Sequence, residues 1–172
     1  FPERIPDNDK TEYPSMVFIG RLVNKKNPIA LIKAFEQVLS KYPNAKLTII
    51  GDGPLYNKIY DYINFIAINE SVSLIGEKPH NEVLNILKKN WIYVQHSVTA
   101  LNGDEEGFPT TILEAMSYGL PVVSTIHSGI TEQIIDGDNG FLVQEYDFNS
   151  FASKIIDLLD SPDKIKDFGE SG

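Results

Sequence analysis

Six short apolar runs constrain this chain more than any other feature: Met16-Val17-Phe18-Ile19, Leu47-Thr48-Ile49-Ile50, Val72-Ser73-Leu74-Ile75, Trp91-Ile92-Tyr93-Val94, Pro121-Val122-Val123 and Gly140-Phe141-Leu142-Val143. Most are continuous, not alternating, which is the pattern of strands covered on both faces of a parallel sheet. Helix-like segments lie between them. Asn27-Pro28 predicts an N-cap with proline at the first helical position, after which Ile29, Leu31, Ile32, Phe35, Val38 and Leu39 recur at helical spacing. Further helices are expected over about 54–68, 80–89, 109–119, 129–136 and 147–159, with a short one after Pro162. Strand and helix therefore alternate about six times, so the fold class is α/β, a doubly wound parallel sheet with helices on both faces and right-handed crossovers.

The 172 residues suffice for one domain, and a 42% hydrophobic content provides its core. The apolar runs are far too short to span a membrane. The opening Phe1-Pro2-Glu3-Arg4-Ile5-Pro6-Asp7 has no basic region followed by an apolar one and does not read as a signal peptide. It lacks an initiator Met, and the expectation is a linker over 1–14 from a missing N-terminal domain, followed by one domain over 15–172. The absence of cysteine excludes disulfides and thiolate metal sites and fits a reducing compartment. A net charge of −9 argues against nucleic acid as a partner, and against anionic lipid binding by this segment.

Doubly wound sheets bind ligands beyond the carboxyl ends of their strands. Nearly every unusual residue of this chain falls there: Gly20-Arg21, Gly51-Asp52-Gly53-Pro54, Gly76-Glu77-Lys78, His96-Ser97 with the long loop to Glu106, and Ser124-Thr125. Arg21 and Lys26 follow the first strand and lead into a helix start, offering cations and backbone donors to a diphosphate; alternatively Arg21 forms a surface ion pair and Lys26 is solvated. Glu106 and Glu114 flank a Gly107-Phe108-Pro109-Thr110 turn into a helix. Gly107 permits close backbone approach to a ligand, and Pro109 suits the first helical turn. Glu106 can accept from sugar hydroxyls or simply pair with the helix dipole. A helical wheel places Ile112, Leu113, Ala115 and Met116 on one face and Glu114 opposite, toward solvent or a cleft.

Gly51-Asp52-Gly53 reads as a tight turn first and a phosphate or base contact second, since the third glycine of a dinucleotide motif is missing. His80, His96 and His127 are scattered without metal-ligand spacing; His96, at a strand end beside the long loop, is the one histidine with a functional candidacy. Asp104 and Glu105 form the only acidic cluster worth testing for a metal, and no metal is expected. Ser97, Ser124 and Ser128 lack a nucleophile-elbow frame.

Gly20-Arg21-Leu22…Lys26, Gly51-Asp52-Gly53-Pro54, Glu106-Gly107-Phe108-Pro109…Leu113-Glu114-Ala115-Met116-Ser117-Tyr118-Gly119-Leu120-Pro121-Val122-Val123 and Asp136-Gly137…Asn139-Gly140-Phe141-Leu142-Val143 resemble the C-terminal domain of retaining glycosyltransferases of family 4. Asn102-Gly103-Asp104, with His96 to Ala100 before it and Thr125 to Ile130 after, is similar to the exopolysaccharide branch of colanic-acid type. The resemblance implies one Rossmann-like half of a GT-B architecture, binding a nucleotide-diphosphate sugar without a metal. It implies that Arg21 and Lys26 hold the diphosphate, that Glu106 contacts the donor sugar with Gly107, Phe108 and Pro109 offering backbone donors and shape, and that Glu114 binds ribose, with Gly53, Glu77 and Lys78 near the base and Gly20 and Thr110 among the substrate-binding residues. Arg21, Lys26 and Glu106 are the catalytic candidates. It further implies a saccharide or lipid-linked acceptor held mainly by the missing N-terminal domain, a cytoplasmic location, peripheral at the inner face of the plasma membrane, and no catalysis by this domain alone. The segment that crosses back onto that domain is expected to be truncated after Phe168-Gly169. A nucleotide-sugar epimerase and a non-catalytic nucleotide-binding module are the alternatives on the same architecture.

Overall fold

All six expected strands form and pair in parallel in one sheet. A computed structural model describes residues 10–12 and 14–172. The strands are β1 (Ser15–Ile19), β2 (Lys46–Ile50), β3 (Val72–Leu74), β4 (Ile92–Gln95), β5 (Val122–Thr125) and β6 (Gly140–Val143), in the sheet order β3-β2-β1-β4-β5-β6. The helices are α1 (Pro28–Lys41), α2 (Tyr56–Phe65), α3 (His80–Lys89), α4 (Thr110–Ser117), α5 (Phe148–Leu159) and α6 (Pro162–Ser171).

Continuous apolar strands follow from two covered faces. Met16 and Phe18 of β1 join the core beneath α1, α2, α5 and α6, whereas Val17 and Ile19 join the core beneath α3 and α4. Phe35 of α1 and Phe151 of α5 are both fully buried in the first core; each contributes about 1.5–3 kcal/mol by leaving water. Because β1 and β4 are neighbours while their following helices lie on opposite faces, their carboxyl ends open a crevice at the topological switch point.

Several boundaries differ from the sequence reading. The helix expected over 129–136 is only a 3-10 turn at Ser128–Glu132. Asn139 ends it by taking over the backbone: its Oδ1 accepts from Ile135 N (2.9 Å) and its Nδ2 donates to Gln133 O (3.3 Å). Strand β5 runs through Ser124 and Thr125, whose hydroxyls donate to Gln95 O (2.7 Å) and Ser97 O (2.5 Å), so the rim there begins two residues later than expected. Pro109 occupies the N-cap of α4 in extended backbone and not its first turn. Asn27 is the N-cap of α1 as expected, but its side chain does not cap and its backbone is left-handed (φ 38°). Leu113 is 43% exposed, because the short α4 buries only Ile112, Ala115 and Met116.

Most of the linker expected over 1–14 lies outside the described residues. Residues 10–12 lie against the corner between α3 and β4, where Lys10 Nζ donates to Asn90 O (2.6 Å), Thr11 N to Lys89 O (3.0 Å) and Trp91 Nε1 to Thr11 O (3.0 Å). Among the described residues, no helix is long and apolar enough to cross a membrane.

Candidate functional site

Lys26 and Glu106, eighty positions apart in sequence, meet at the switch point with Nζ and Oε2 2.7 Å apart. Lys26 ends the 3-10 turn Asn24–Lys26 after β1, and Glu106 closes the long loop after β4. Neither is solvated: their side chains are 9% and 13% exposed. Burial pulls the Lys26 ammonium below its usual range, against the hydrogen bonding and charge of Glu106, which hold the proton on. The contact is short but poorly directed for a hydrogen bond, so Glu106 Oε2 has charge attraction without a well-aligned donor. Gly20 lies beside this lysine; a Cβ there would meet Phe18 Cζ at 3.3 Å and Lys26 Cε at 3.4 Å.

Glu106 is fixed from the other side by its backbone. Its N–H donates to Nε2 of His127 (3.0 Å), a buried side chain in the loop after β5. The opposite ring nitrogen, Nδ1, bonds the carboxylate of Glu145 after β6. Glu145 Oε2 also accepts from Thr99 N (3.0 Å), and Tyr146 OH donates back to Thr99 O (2.9 Å). Burial pushes Glu145 up, but the hydrogen bonds from His127 and Thr99 outweigh it and hold the carboxyl below its ordinary value. Gly129 adds a backbone contact, since a Cβ there would lie 2.4 Å from Gly107 O. The glycine that packing demands in this region is thus Gly129; at Gly107 a Cβ would meet only open space.

Beneath the segment from Glu106 to Glu114 lies the fully buried Tyr93. Its hydroxyl is 2.9 Å from Thr111 Oγ1, 3.0 Å from Gln95 Oε1 and 3.2 Å from Ile19 O. Burial raises its pKa, and the charges of Glu106 and Glu114 add to that, so the phenol stays protonated. Glu114 is half-buried on α4, and among the described residues its carboxylate meets no hydrogen-bond or ionic partner. The N–H groups of Gly107, Phe108, Thr110 and Thr111 likewise find no acceptor among the described residues. The start of α4 therefore presents free donors, with no side-chain cap, beside the Lys26–Glu106 pair.

Arg21 is exposed and forms no ion pair among the described residues, contrary to the surface-pair alternative. Gly51 and Gly53 serve the tight turn first. A Cβ on Gly51 would lie 2.0 Å from Gly20 O, and one on Gly53 2.6 Å from Leu22 O. Leu22 N donates to Asp52 O (2.8 Å) and Leu55 N to Leu22 O (3.1 Å) across the same contact. Glu77 and Lys78 are exposed at the β3 end of the rim, where Lys78 lies 4.0 Å from Glu82. Phe108 is exposed, Pro109 is buried, and Thr110 is exposed as the first residue of α4.

Asp104 and Glu105 do not gather around a metal site; Lys25 Nζ binds Asp104 Oδ1 (3.0 Å) and Glu105 O (3.0 Å). Among the described residues, no group of three or more His, Cys, Asp or Glu side chains could hold a metal ion. A shallow hollow of about 250 Å³ lies beside this pair, between Val23, Lys25, Pro54, Leu55, Asn102 and Asp104, and contains none of the expected donor-site residues. His96 sits below the rim, fully buried, its ring 5.1 Å from that of Phe151 and its Nδ1 3.5 Å from Asn27 Nδ2. Its Nε2 has no partner among the described residues, and burial lowers its pKa to about 4.

Sequence reasoning missed His127 and Glu145. The available signal was position: each stands just past the carboxyl end of its strand, on the same rim as Glu106.

The sequence model for glycosyl transferases group 1 matches residues 2–172. WcaL of Salmonella typhimurium, a glycosyltransferase named for colanic acid biosynthesis, is 33% identical over 143 residues, 83% of this chain and 35% of that protein. AmsK of Erwinia amylovora, an amylovoran biosynthesis glycosyltransferase, is 36% identical over 140 residues, 81% of this chain and 34% of that protein. The chain thus spans about a third of the length of these relatives. A crystal structure of an S. aureus TarM variant in complex with Fondaparinux, alpha-GlcNAc-glycerol and UDP superposes with a TM-score of 0.85 at 26% identity, covering 98% of this chain and 32% of that one.

Proposed function

The chain belongs to the glycosyl transferases group 1 family, and from that premise we propose that it is the donor-binding half of a retaining, metal-independent hexosyltransferase of the family 4 type. It would bind a nucleotide-diphosphate sugar and serve transfer of the hexose to a polysaccharide precursor or lipid-linked saccharide. The observation that carries this reading is the buried Lys26–Glu106 pair at the switch point, flanked by Arg21, Glu114 and the N–H groups at the start of α4, none of which has a partner among the described residues. Cations and backbone donors suit a diphosphate, and the carboxylates of Glu106 and Glu114 suit sugar hydroxyls, for which an ionised carboxylate is an acceptor.

In the proposed reaction the bond between the anomeric carbon and the β-phosphate oxygen breaks, and the acceptor oxygen bonds to that carbon from the same face. The acceptor hydroxyl proton passes to the departing phosphate oxygen, so no enzyme nucleophile is needed. Arg21 and Lys26 would offset the charge that develops on the leaving diphosphate, in place of a metal. Glu106 would contact the transferred sugar and Glu114 the ribose. Gly20 would line the diphosphate site beside Lys26, while Gly107, Phe108, Pro109 and Thr110 would shape the sugar pocket. Gly53, Glu77 and Lys78 would lie toward the base. The acceptor would be held mainly by a second domain, so this segment alone would catalyse nothing, and the reaction would take place at the cytoplasmic face of the membrane. Family membership favours transfer over the epimerase and binding-module alternatives.

The test is transfer by the full-length enzyme carrying Arg21→Ala together with Lys26→Ala. Loss of at least about a hundredfold in kcat/KM is expected for two charge-stabilising groups, undiminished by EDTA in the wild type. Unchanged kcat/KM in the double variant contradicts the reading.

A further inference from the structure

His127 has an uncommon arrangement for a surface-loop histidine: it is buried, and one ring nitrogen accepts a backbone N–H. An accepting Nε2 carries no proton, so the ring is neutral with its proton on Nδ1. The Glu145 carboxylate bonded to Nδ1 selects that tautomer, as a protonated Nε2 would point its hydrogen at the Glu106 N–H. The same carboxylate anchors Thr99 N, and Tyr146 anchors Thr99 O. Glu145 thereby joins the loops after β4, β5 and β6. Left-handed backbone at Ser128 (φ 39°) and Tyr146 (φ 64°) flanks both residues of the pair; non-glycine residues are held there only when their surroundings over-determine them.

We propose that His127 and Glu145 are a positioning pair that fixes Glu106, by a tautomer-locked histidine, in the orientation that the donor sugar requires. The proposal rests on the donor-site reading for what Glu106 does, but not for how it is held. Neither residue reaches the rim's free donors; both act through Glu106. The account distinguishes their replacements. His127→Leu leaves the Glu106 N–H without its acceptor, whereas His127→Gln can supply an amide oxygen near the Nε2 position. Glu145→Gln keeps an acceptor for Nδ1–H, and Glu145→Leu removes it and frees the tautomer.

Two measurements test this. In ¹⁵N spectra of the wild-type protein, His127 should show a protonated Nδ1 and an unprotonated Nε2, and Glu145→Leu should redistribute them while Glu145→Gln should not. A protonated Nε2 in the wild type overturns the proposal. In the full-length enzyme, His127→Leu should lower kcat at least about tenfold, the scale of one lost hydrogen bond to a buried donor. Affinities for UDP, GDP or ADP, whichever binds, should stay within about twofold, and His127→Gln should recover most of the loss. Wild-type kcat in His127→Leu, or a fall in diphosphate affinity in step with kcat, overturns it. Failure of the donor reading shows separately, as wild-type protein that binds none of the three diphosphates; the His127 tautomer then decides the proposal alone.

Discussion

On the β1-β2-β3 side of the rim the loops touch through bare backbone, whereas on the β4-β5-β6 side they are joined by charged and polar side chains. Gly51 and Gly53 lie so close to Gly20 and Leu22 that a single methyl group has no room. Across the switch point, Lys26, Glu106, His127, Glu145 and Thr99 form a chain of contacts spanning four loops. The first arrangement leaves Arg21 and Glu77 without a partner among the described residues, and Lys78 with only a long 4.0 Å contact to Glu82. The second makes the position of one carboxylate depend on several distant residues. A site that must grip a diphosphate and also orient a sugar can divide the two tasks in this way: fixed backbone for the charge, a side-chain network for the orientation.

The contrast is broken most severely from the backbone side. Gly51→Ala puts a Cβ 2.0 Å from Gly20 O at φ 138°, and should destabilise by about 3 kcal/mol or more. Gly107→Ala, whose Cβ would meet open space, should stay within about 0.5 kcal/mol. Urea unfolding of the pair of variants checks both. Next in size is Lys26→Leu, which strands the Glu106 carboxylate in a site where it is 13% exposed; a loss of about 2–4 kcal/mol is expected, with Glu106→Gln costing less because the amide oxygen still presents a partial negative charge to the ammonium.

The third probe is pH. Burial holds His96 at about 4 in the folded protein, below its unfolded value near 6.5. Between those values the unfolded chain binds the extra proton, so stability is complete above pH 6.5 and is lost as pH falls toward 4. Going from pH 7 to pH 5 should cost the wild type about 2 kcal/mol through this group, and His96→Leu should lack that increment in paired urea titrations. The smallest effect belongs to the exposed side chains: Arg21→Ala and the Glu77→Gln, Lys78→Ala double variant should each change stability by less than about 0.5 kcal/mol.

The same contrast explains what could be read in the sequence. The strands were legible because two covered faces demand continuous apolar runs, and the tight turn at Gly51-Asp52-Gly53 because glycine announces close backbone approach. Arg21 and Lys26 were legible as candidates from their place after a strand, and Glu106 and Glu114 from the turn between them and the family resemblance, but the direct contact of Lys26 with Glu106 was not, since eighty residues separate them. His127 was named but given no role, for a local reason: β5 runs two residues past its apolar run, with Ser124 and Thr125 turned inward to Gln95 and Ser97. That moves the rim from those hydroxyls to His127. His96, by contrast, drew attention as a strand-end histidine and proves to be core, packed on Phe151. The helix expected over 129–136 failed because an asparagine side chain, ahead in sequence, takes its hydrogen bonds.

The most direct test of the donor site is a melting-temperature titration of this protein with UDP, GDP and ADP, with and without EDTA, set against Arg21→Ala. At about a hundred times the dissociation constant, binding adds roughly 2.7 kcal/mol, a rise of roughly 5–10 °C for a domain of this size. The account predicts that rise with at least one diphosphate, unchanged by EDTA and largely lost in Arg21→Ala. A rise that disappears with EDTA, or one that Arg21→Ala leaves intact, would contradict it.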